Sequence, residues 1–440
     1  MRIFDNLFRR FSVNARGNTA LLVALTLPVI MAAIGGAIDF SRAVQLKMQL
    51  QDAADVASVG SVAINSTGYK AGVAMKGDGP IPDGAAQAVS IFNSDYHPNG
   101  DLNAVMPTAS LSKAGTILTS TVNVTATYKP YMLSLVGINS VPLTITSVST
   151  ATVPPYVDFY LLLDNTPSMG LGATTSDINT MTTKMGCAFA CHEDDLPGTD
   201  NYSKSIALKV TLRIDVVRIA TQNLMATAKT TETLSGQYRM SIYDFGTAAN
   251  TIDLKNPGAF KVSDLTTNLD NSASDASAIG LMTIPKQNYN NDSQTNFESA
   301  LTAVNKVIAD PGSGMTADTP QKVLFLVTDG VNDGYDCAYS NGAACRRITP
   351  IDTSPTGMCT KIKARGIKIA VLYTTYQPVT TDSFYNSWVA KYVGPPSQIA
   401  SAAEKCASSN LYFEVSPSQG ISDAMQALFK RIITVVRINS

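Results

Sequence analysis

The stretch VDFYLLLDNTPS, residues 157–168, decides the fold. An almost unbroken apolar run covers residues 157–163, and polar residues follow it from Asp164 onward. Such runs are typical of strands that a parallel sheet buries on both faces. Four further runs of this kind follow in the chain: YRMSIYDF (238–245), QKVLFLVTD (321–329), IKIAVLY (367–373) and LYFEVSP (411–417).

Amphipathic helices are predicted between and after these strands. Apolar residues recur at helical spacing in LRIDVVRIATQNLMATA (212–228), NFESALTAVNKVIA (296–309) and SDAMQALFKRIITVV (422–436). Buried strands that alternate with such helices predict an α/β domain over residues 156–440, with a doubly wound, mostly parallel sheet.

Oxygen-bearing side chains follow two of the strands and precede one helix. The segments are 164–168 (DNTPS), 328–330 (TDG) and 293–296 (SQTN). In open α/β sheets ligands bind beyond the carboxyl ends of the strands. Carboxylates and hydroxyls without nearby His or Cys suit Mg²⁺, Ca²⁺ or Mn²⁺ better than zinc. The sequence therefore predicts a divalent-cation site at this sheet edge.

Three motifs in this region resemble the von Willebrand factor A domain. They are DxTxS after the first strand, the Thr that begins TNFESAL just before an amphipathic helix, and TDG after a later strand. In that family they form a metal-ion-dependent adhesion site, with one coordination position open for an acidic group of a partner. Position 166 is Thr where the family more often has Ser, which keeps the hydroxyl. The resemblance implies that the metal residues are Asp164, Thr166, Ser168, Thr295 and Asp329.

The N-terminal region predicts a membrane anchor. Residues 18–38 carry no charge and are long enough to cross a bilayer as a helix, and residues 1–17 contain four arginines against one acid. This bias places residues 1–17 in the cytoplasm and the chain after Asp39 outside. A cleaved signal peptide is the alternative, but its apolar stretch is normally shorter. An amphipathic helix over residues 39–65 is expected to continue the anchor.

A small β-rich or α+β module is predicted over residues 66–155. Its first part, residues 66–110, is rich in Gly, Pro, Asn and Asp and is interpreted as irregular. Residues 117–128 and 141–153 alternate apolar and polar side chains, which predicts two half-buried strands.

All six cysteines follow the anchor, which predicts up to three disulfides in an oxidising compartment. The short spacings favour Cys187–Cys191 and Cys337–Cys345, leaving Cys359–Cys406. The segment CAFACH (187–192) also suggests haem or zinc. Three residues separate its cysteines instead of the two of c-type haem, and the chain has only two histidines, so a local disulfide is the favoured interpretation.

The N-terminal third resembles TadG-like proteins of the TadE/TadG group, which belong to Flp pilus assembly. The shared features are Gly17 before the anchor, Pro28 within it, Gly35-Gly36, Asp39 and the Asp-Ala-Ala of residues 52–54. The resemblance implies a single-pass protein of the bacterial inner membrane, periplasmic in bulk, with pilus-assembly or envelope proteins as partners. The small residues would also permit a homo-oligomer through the anchor.

Prepilin cleavage at Gly17 is not expected. Substrates of the prepilin peptidase usually have Glu five residues after the cleavage Gly, and this chain has Leu22 there. We therefore expect a retained anchor.

Other function classes are disfavoured. A formal net charge of −1 argues against a nucleic-acid binder. An enzyme is not expected, because no His accompanies a strand-end nucleophile and no phosphate-binding loop is present. A surface adhesin for a host or matrix ligand is the main alternative to a pilus-assembly role.

Overall fold

The computed structural model describes residues 18–98, 100–189, 192–245, 258–286, 289, 294–335, 345–376, 378–416 and 420–438. The chain forms two compact units, Met1–Val153 and Pro154–Ser440.

The first unit contains a long helix and an antiparallel sheet. Its elements in chain order are α1 (Asn18–Val62), α2 (Thr67–Ala74), β1 (Gly79–Pro80), α3 (Pro82–Asp95), β2 (Leu102–Ala114), β3 (Ile117–Tyr128) and β4 (Val141–Thr152). The four strands pair in the order β1-β2-β3-β4. The C-terminal half of α1 buries Leu46, Leu50 and Ala54 against apolar residues of β3 and β4 such as Val122 and Ile145.

The N-terminal part of α1 has no cover in this unit. Every residue from 21 to 34 is exposed. Among the described residues, this is the one helix that is long and apolar enough to cross a membrane by length and composition.

The interpretation of residues 66–110 as irregular is wrong, because this region contains α2, α3 and β2. Its Gly and Pro residues have roles inside regular structure. Pro82 occupies the first turn of α3, where a missing N–H costs nothing. A Cβ on Gly84 would lie 2.8 Å from the Cα of Gly68, so these two glycines allow α2 and α3 to pack closely.

The second unit is an α/β domain built on a six-stranded sheet. Its strands are β5 (Val157–Leu163), β7 (Tyr238–Asp244), β8 (Phe260–Thr266), β10 (Gln321–Thr328), β13 (Lys368–Thr374) and β14 (Tyr412–Val415). The strand order is β14-β13-β10-β5-β7-β8. Every neighbouring pair is parallel except β7 and β8, so β8 is an antiparallel edge that the sequence did not reveal.

Helices and short strands connect the sheet. They are α4 (Thr175–Met185), β6 (His192–Glu193), α5 (Asn201–Ala207), α6 (Arg213–Thr231), α7 (Leu269–Asp275), β9 (Thr283–Ile284), α8 (Phe297–Val307), β11 (Val331–Tyr335), β12 (Arg346–Pro350), α9 (Met358–Ala364), α10 (Ala390–Val393), α11 (Gln398–Cys406) and α12 (Ile421–Ile438).

Two apolar cores lie on opposite faces of the sheet. Phe159 and Leu161 of β5 belong to the core that contains residues of α6 and α12. Tyr160 and Leu162 point the other way, into the core with residues of α8, α9 and α11. Burial on both faces explains why the strand sequences are continuously apolar instead of alternating.

One charged residue of β5 is buried at the start of the strand. The Asp158 carboxylate accepts from Arg239 Nε at 2.7 Å and from Lys322 Nζ at 2.5 Å, on the two neighbouring strands β7 and β10. Pairing with two cations compensates for its desolvation.

The predicted Cys359–Cys406 disulfide is confirmed, and it joins α9 to α11. Cys345 is also disulfide-bonded, while Cys191 and Cys337 lie outside the described residues. The favoured Cys187–Cys191 disulfide is not found at Cys187, which is a free thiol. Its Sγ accepts a hydrogen bond from Phe189 N at 3.4 Å, and burial raises the pKa of the thiol.

Candidate functional site

Two buried carboxylates lie side by side where the central strands end. Asp164 directly follows β5 and Asp329 directly follows β10, and these strands are parallel neighbours with Leu163 opposite Val327. Both aspartates are fully buried. The parallel register is thus what brings together two acids that are 165 positions apart in the sequence.

Three hydroxyls link the carboxylate of Asp164 to that of Asp329. Thr166 Oγ1 donates to Asp164 Oδ1 at 2.7 Å, and Thr295 Oγ1 donates to Thr166 Oγ1 at 2.8 Å. Ser168 Oγ lies 3.5 Å from Thr166 Oγ1 and hydrogen-bonds the carboxyl of Asp329. The structure therefore joins all five predicted metal residues in one hydrogen-bonded cluster, which we call the oxygen cluster (Asp164, Thr166, Ser168, Thr295 and Asp329).

Backbone pairing positions Thr295 in the oxygen cluster. Thr295 N donates to Asp333 O at 2.9 Å, and Asp333 N donates to Thr295 O at 2.8 Å, which ties this residue to the middle of β11. Next to it, the Asn296 side chain caps the N-terminus of α8. The Asp333 carboxylate accepts from Arg346 Nε at 2.6 Å. Asp333 is therefore an ion-paired structural acid. Ser293, which belongs to the SQTN segment noted in the sequence, lies outside the described residues.

Two neighbours of the oxygen cluster were not assigned a role from the sequence. Thr328, the last residue of β10, donates its hydroxyl to Asp164 Oδ2 at 2.6 Å. Arg213, the first residue of α6, places Nη1 3.2 Å from Asp329 Oδ2, and both side chains are fully buried. Arg213 is one of two arginines in the predicted helix over residues 212–228, and no local signal distinguishes it from Arg218 there.

Arg213 is held on one side of the oxygen cluster. Its guanidinium carbon lies 5.1 Å from the centre of the Tyr376 ring, and Nη2 donates to Thr375 O at 3.4 Å. Its buried Nε has no hydrogen-bond partner among the described residues. The guanidinium thus supplies one fixed positive charge against the two carboxylates.

Burial shifts the protonation of both acids. Desolvation, with the nearby Asp329 carboxylate as a second cause, raises the pKa of Asp164 to about 7. Desolvation also raises the pKa of Asp329, and the positive charge of Arg213 opposes that rise. The oxygen cluster is therefore short of positive charge, because one arginine does not fully compensate two buried carboxyls.

The donor set fits a hard divalent cation. Adjacent ligands in an octahedral Mg²⁺ shell, each at about 2.1 Å, lie about 3 Å apart. The separations of 2.8 Å between Thr295 Oγ1 and Thr166 Oγ1 and of 3.5 Å between Thr166 Oγ1 and Ser168 Oγ lie on either side of that edge length. In the part of the chain that the structure describes, no group of three His, Cys, Asp or Glu side chains is arranged to hold a metal ion. A cation here would depend on hydroxyl ligands as well as the two acids, which disfavours zinc.

Neither histidine belongs to this cluster. His97 Nδ1 contacts Asp95 O in the first unit, and His192 lies in β6 with its ring centroid 5.1 Å from that of Tyr202.

The N-terminal segment matches a known family. Residues 17–63 match the family model described as "Putative Flp pilus-assembly TadE/G-like", which confirms the resemblance noted in the sequence. No curated protein matches the chain.

Several solved structures are similar to the chain at low identity. The vWF domain of the type V pili tip protein Mfa5 from Porphyromonas gingivalis is 11% identical, with a TM-score of 0.36, over 66% of this chain and 97% of that one. The pilus adhesin SpaC from Lactobacillus rhamnosus GG is 12% identical, with a TM-score of 0.39, over 77% of this chain and 34% of that one. The von Willebrand factor type A structure from Catenulispora acidiphila is 11% identical, with a TM-score of 0.30, over 76% and 50%.

Proposed function

We propose that this chain is a membrane-anchored, non-enzymatic component of a Flp/Tad-type pilus-assembly or adherence system. Its second unit is a doubly wound von Willebrand A domain that binds a protein partner through a divalent cation, with Mg²⁺ the first candidate. The observation that carries the proposal is the oxygen cluster, in which three hydroxyls gather around two buried acids at the carboxyl end of the parallel sheet.

The electrostatics favour recognition of an acidic group. When both acids are ionised, the two carboxylates and the Arg213 guanidinium give the oxygen cluster one net negative charge, and a bound divalent cation would change it to one net positive charge. A carboxylate of a partner that completes the coordination shell would then neutralise the site. The cation would act as a bridge between two proteins, and the chain's own residues would orient it.

The anchor and its orientation follow from the N-terminal region. The exposed apolar part of α1 suits a single membrane crossing, and the TadE/G-like match covers it. The arginines before it favour a cytoplasmic N-terminus, so we place the chain after Asp39 in the periplasm, attached to the inner membrane. The confirmed disulfide agrees with an oxidising compartment.

Cation-dependent capture of a partner tests this function. The full chain is used as bait on detergent-solubilised envelope, once with Mg²⁺ and once with EDTA, beside the variants Thr295→Val and Thr302→Val. Both variants remove one hydroxyl at similar size, but Thr302 lies in α8 outside the oxygen cluster. We expect a partner that is retained only with Mg²⁺, lost with Thr295→Val and kept with Thr302→Val.

Equal capture in EDTA would refute the cation bridge. Membrane fractionation separates the two cellular roles, because recovery at the cell surface instead of the inner membrane would favour an adhesin for a host or matrix ligand.

A further inference from the structure

The first unit carries an exposed apolar loop, residues 131–138 with the sequence YMLSLVGI. It connects β3 to β4, contains no charged residue and includes a short 3-10 helix, Leu133–Val136. Its exposed fractions are 70% at Tyr131, 80% at Leu135, 59% at Val136 and 46% at Ile138. Clustered exposed apolar side chains of this kind mark contact surfaces, in contrast to single exposed ones.

The apolar loop lies beside the last turn of the predicted membrane span. A Cβ on Gly35 would lie 2.6 Å from Met132 Cβ, and one on Gly36 would lie 3.5 Å from Leu133 Cδ2. The span is predicted to end at Ile38, about 5 Å along the helix from Gly35 at 1.5 Å per residue. The loop and the end of the span therefore share one level along α1.

Asp39 fixes the loop at this level. Its buried carboxylate accepts from the Tyr128 hydroxyl at 3.0 Å and from three backbone N–H groups of residues 131–133 at 2.7–3.0 Å. These bonds satisfy the free N–H groups at the start of the 3-10 helix, as an N-terminal cap does. The loop is thus attached to α1 by a charged side chain that follows the apolar span directly.

A polar boundary lies on the other side of Asp39. Arg42 of α1 pairs with Asp101, and the Tyr131 hydroxyl donates to Asp101 Oδ1 at 3.0 Å. The surface is therefore apolar before Asp39 and charged one turn after it. Tyr131 spans this boundary with its ring and its hydroxyl, as aromatic residues do at membrane interfaces.

We propose that the apolar loop is a second membrane contact, which inserts Leu135, Val136 and Ile138 into the bilayer leaflet nearest the first unit. The lipid surface is the occupant because the loop continues the exposed apolar surface of the anchor at the same level. With two membrane contacts, the first unit would have a fixed tilt relative to the bilayer. With the anchor helix as the single contact, this tilt would vary. The inference rests on the anchoring part of the proposed function.

Tryptophan fluorescence can test this insertion in the full chain. Trp388 is the only tryptophan, so a Trp388→Phe background permits one reporter at a time. Leu135→Trp reports on the loop and Leu25→Trp on the anchor. Ile117→Trp is the matched control, because Ile117 is also an exposed apolar residue of the first unit. It lies at the opposite end of β3 from Tyr128, about 36 Å away at 3.3 Å per residue.

Each variant is reconstituted in phosphatidylcholine vesicles with and without bromine on the acyl chains. We expect blue-shifted emission for Leu135→Trp and at least about twofold quenching by the brominated lipid, since interfacial apolar residues reach the acyl boundary. Ile117→Trp should stay red-shifted and unquenched.

The outcomes separate the loop from the anchor. Quenching of Leu25→Trp without quenching of Leu135→Trp would overturn the inference and leave the anchor intact. Blue-shifted but unquenched emission of Leu135→Trp would also overturn it, because a protein would then cover the loop. If Leu25→Trp is not quenched either, the anchor and the inference fail together.

Discussion

Replacing Arg213 by methionine should destabilise the second unit, and Mg²⁺ should recover much of that loss. The Arg213–Asp329 pair is fully buried, with Nη1 3.2 Å from Oδ2. Removing one partner of such a pair typically costs about 3–5 kcal/mol, because the remaining charge is left uncompensated. Asp329 can escape part of this penalty by binding a proton, since burial already raises its pKa. We therefore expect a loss of about 3 kcal/mol in EDTA.

Although Arg213→Met should be less stable than the wild type in EDTA, it should bind Mg²⁺ more tightly. When a bound cation keeps both acids ionised, the oxygen cluster of the variant has two net negative charges where the wild type has one, so we expect Arg213→Met to bind Mg²⁺ at least about tenfold more tightly, or 1.4 kcal/mol. A ligand at 100 times its Kd stabilises the folded state by about 2.7 kcal/mol. Saturating Mg²⁺ should therefore raise the unfolding free energy of the variant more than that of the wild type.

Urea unfolding followed by tryptophan emission measures this effect. The only tryptophan, Trp388, belongs to the second unit, so its signal reports on that unit alone. The control is Arg218→Met in the same helix, whose pair with Asp215 is partly exposed and should be worth no more than about 1 kcal/mol in either buffer. The reasoning is refuted if Mg²⁺ stabilises Arg213→Met no more than it stabilises the wild type.

Three further perturbations have defined outcomes. Replacing both Cys359 and Cys406 by alanine should lower the unfolding free energy by about 4 kcal/mol, the loop-closure value for their separation of 47 residues; equal urea midpoints with and without the disulfide would contradict this. Burial raises the pKa of Asp244 to about 8, above its unfolded value of about 3.9. Between these pH values the folded protein keeps a proton that the unfolded protein releases, so the unfolding free energy should fall as pH rises. Asp244→Asn should flatten this decline, by about 1.4 kcal/mol per pH unit at most, and an unchanged slope in unfolding experiments from pH 5 to pH 8 would be evidence against it. Asp39→Ala leaves three backbone N–H groups without their acceptor, which should lower the unfolding free energy by about 1–3 kcal/mol for each group that stays buried. We expect faster amide hydrogen exchange in residues 131–136. Unchanged exchange there would show that Asp39 does not hold the loop.

Local sequence patterns predicted the strands because burial on both faces leaves a continuous apolar run. They also predicted the acids that follow β5 and β10, since the carboxyl ends of parallel strands meet at one edge. The oxygen cluster could be proposed from three separated motifs because each is tied to the end of one element. The Cys359–Cys406 disulfide was predicted by elimination, because the other four cysteines could be paired over short sequence separations.

Long-range packing decided what the sequence could not show. The predicted helix over residues 212–228 contains both Arg213 and Arg218, but only Arg213 begins the helix at the sheet edge where Asp329 lies buried. In the first unit, Gly68, Gly84 and Pro82 resembled loop residues, although two of them serve close helix packing and the third begins a helix. Strand β8 escaped notice because it is an edge strand with exposed Lys261 and Asp264, which interrupt its apolar pattern.

Counting bound Mn²⁺ by electron paramagnetic resonance tests the central claim most directly. Mn²⁺ accepts the same oxygen ligands as Mg²⁺, and the titration needs no knowledge of the partner. We expect one Mn²⁺ per full chain, displaced by excess Mg²⁺, and its loss in Asp164→Asn but not in Asp310→Asn, whose side chain is 85% exposed. Equal Mn²⁺ binding by the wild type and Asp164→Asn, or none by the wild type, would contradict a cation site in the oxygen cluster.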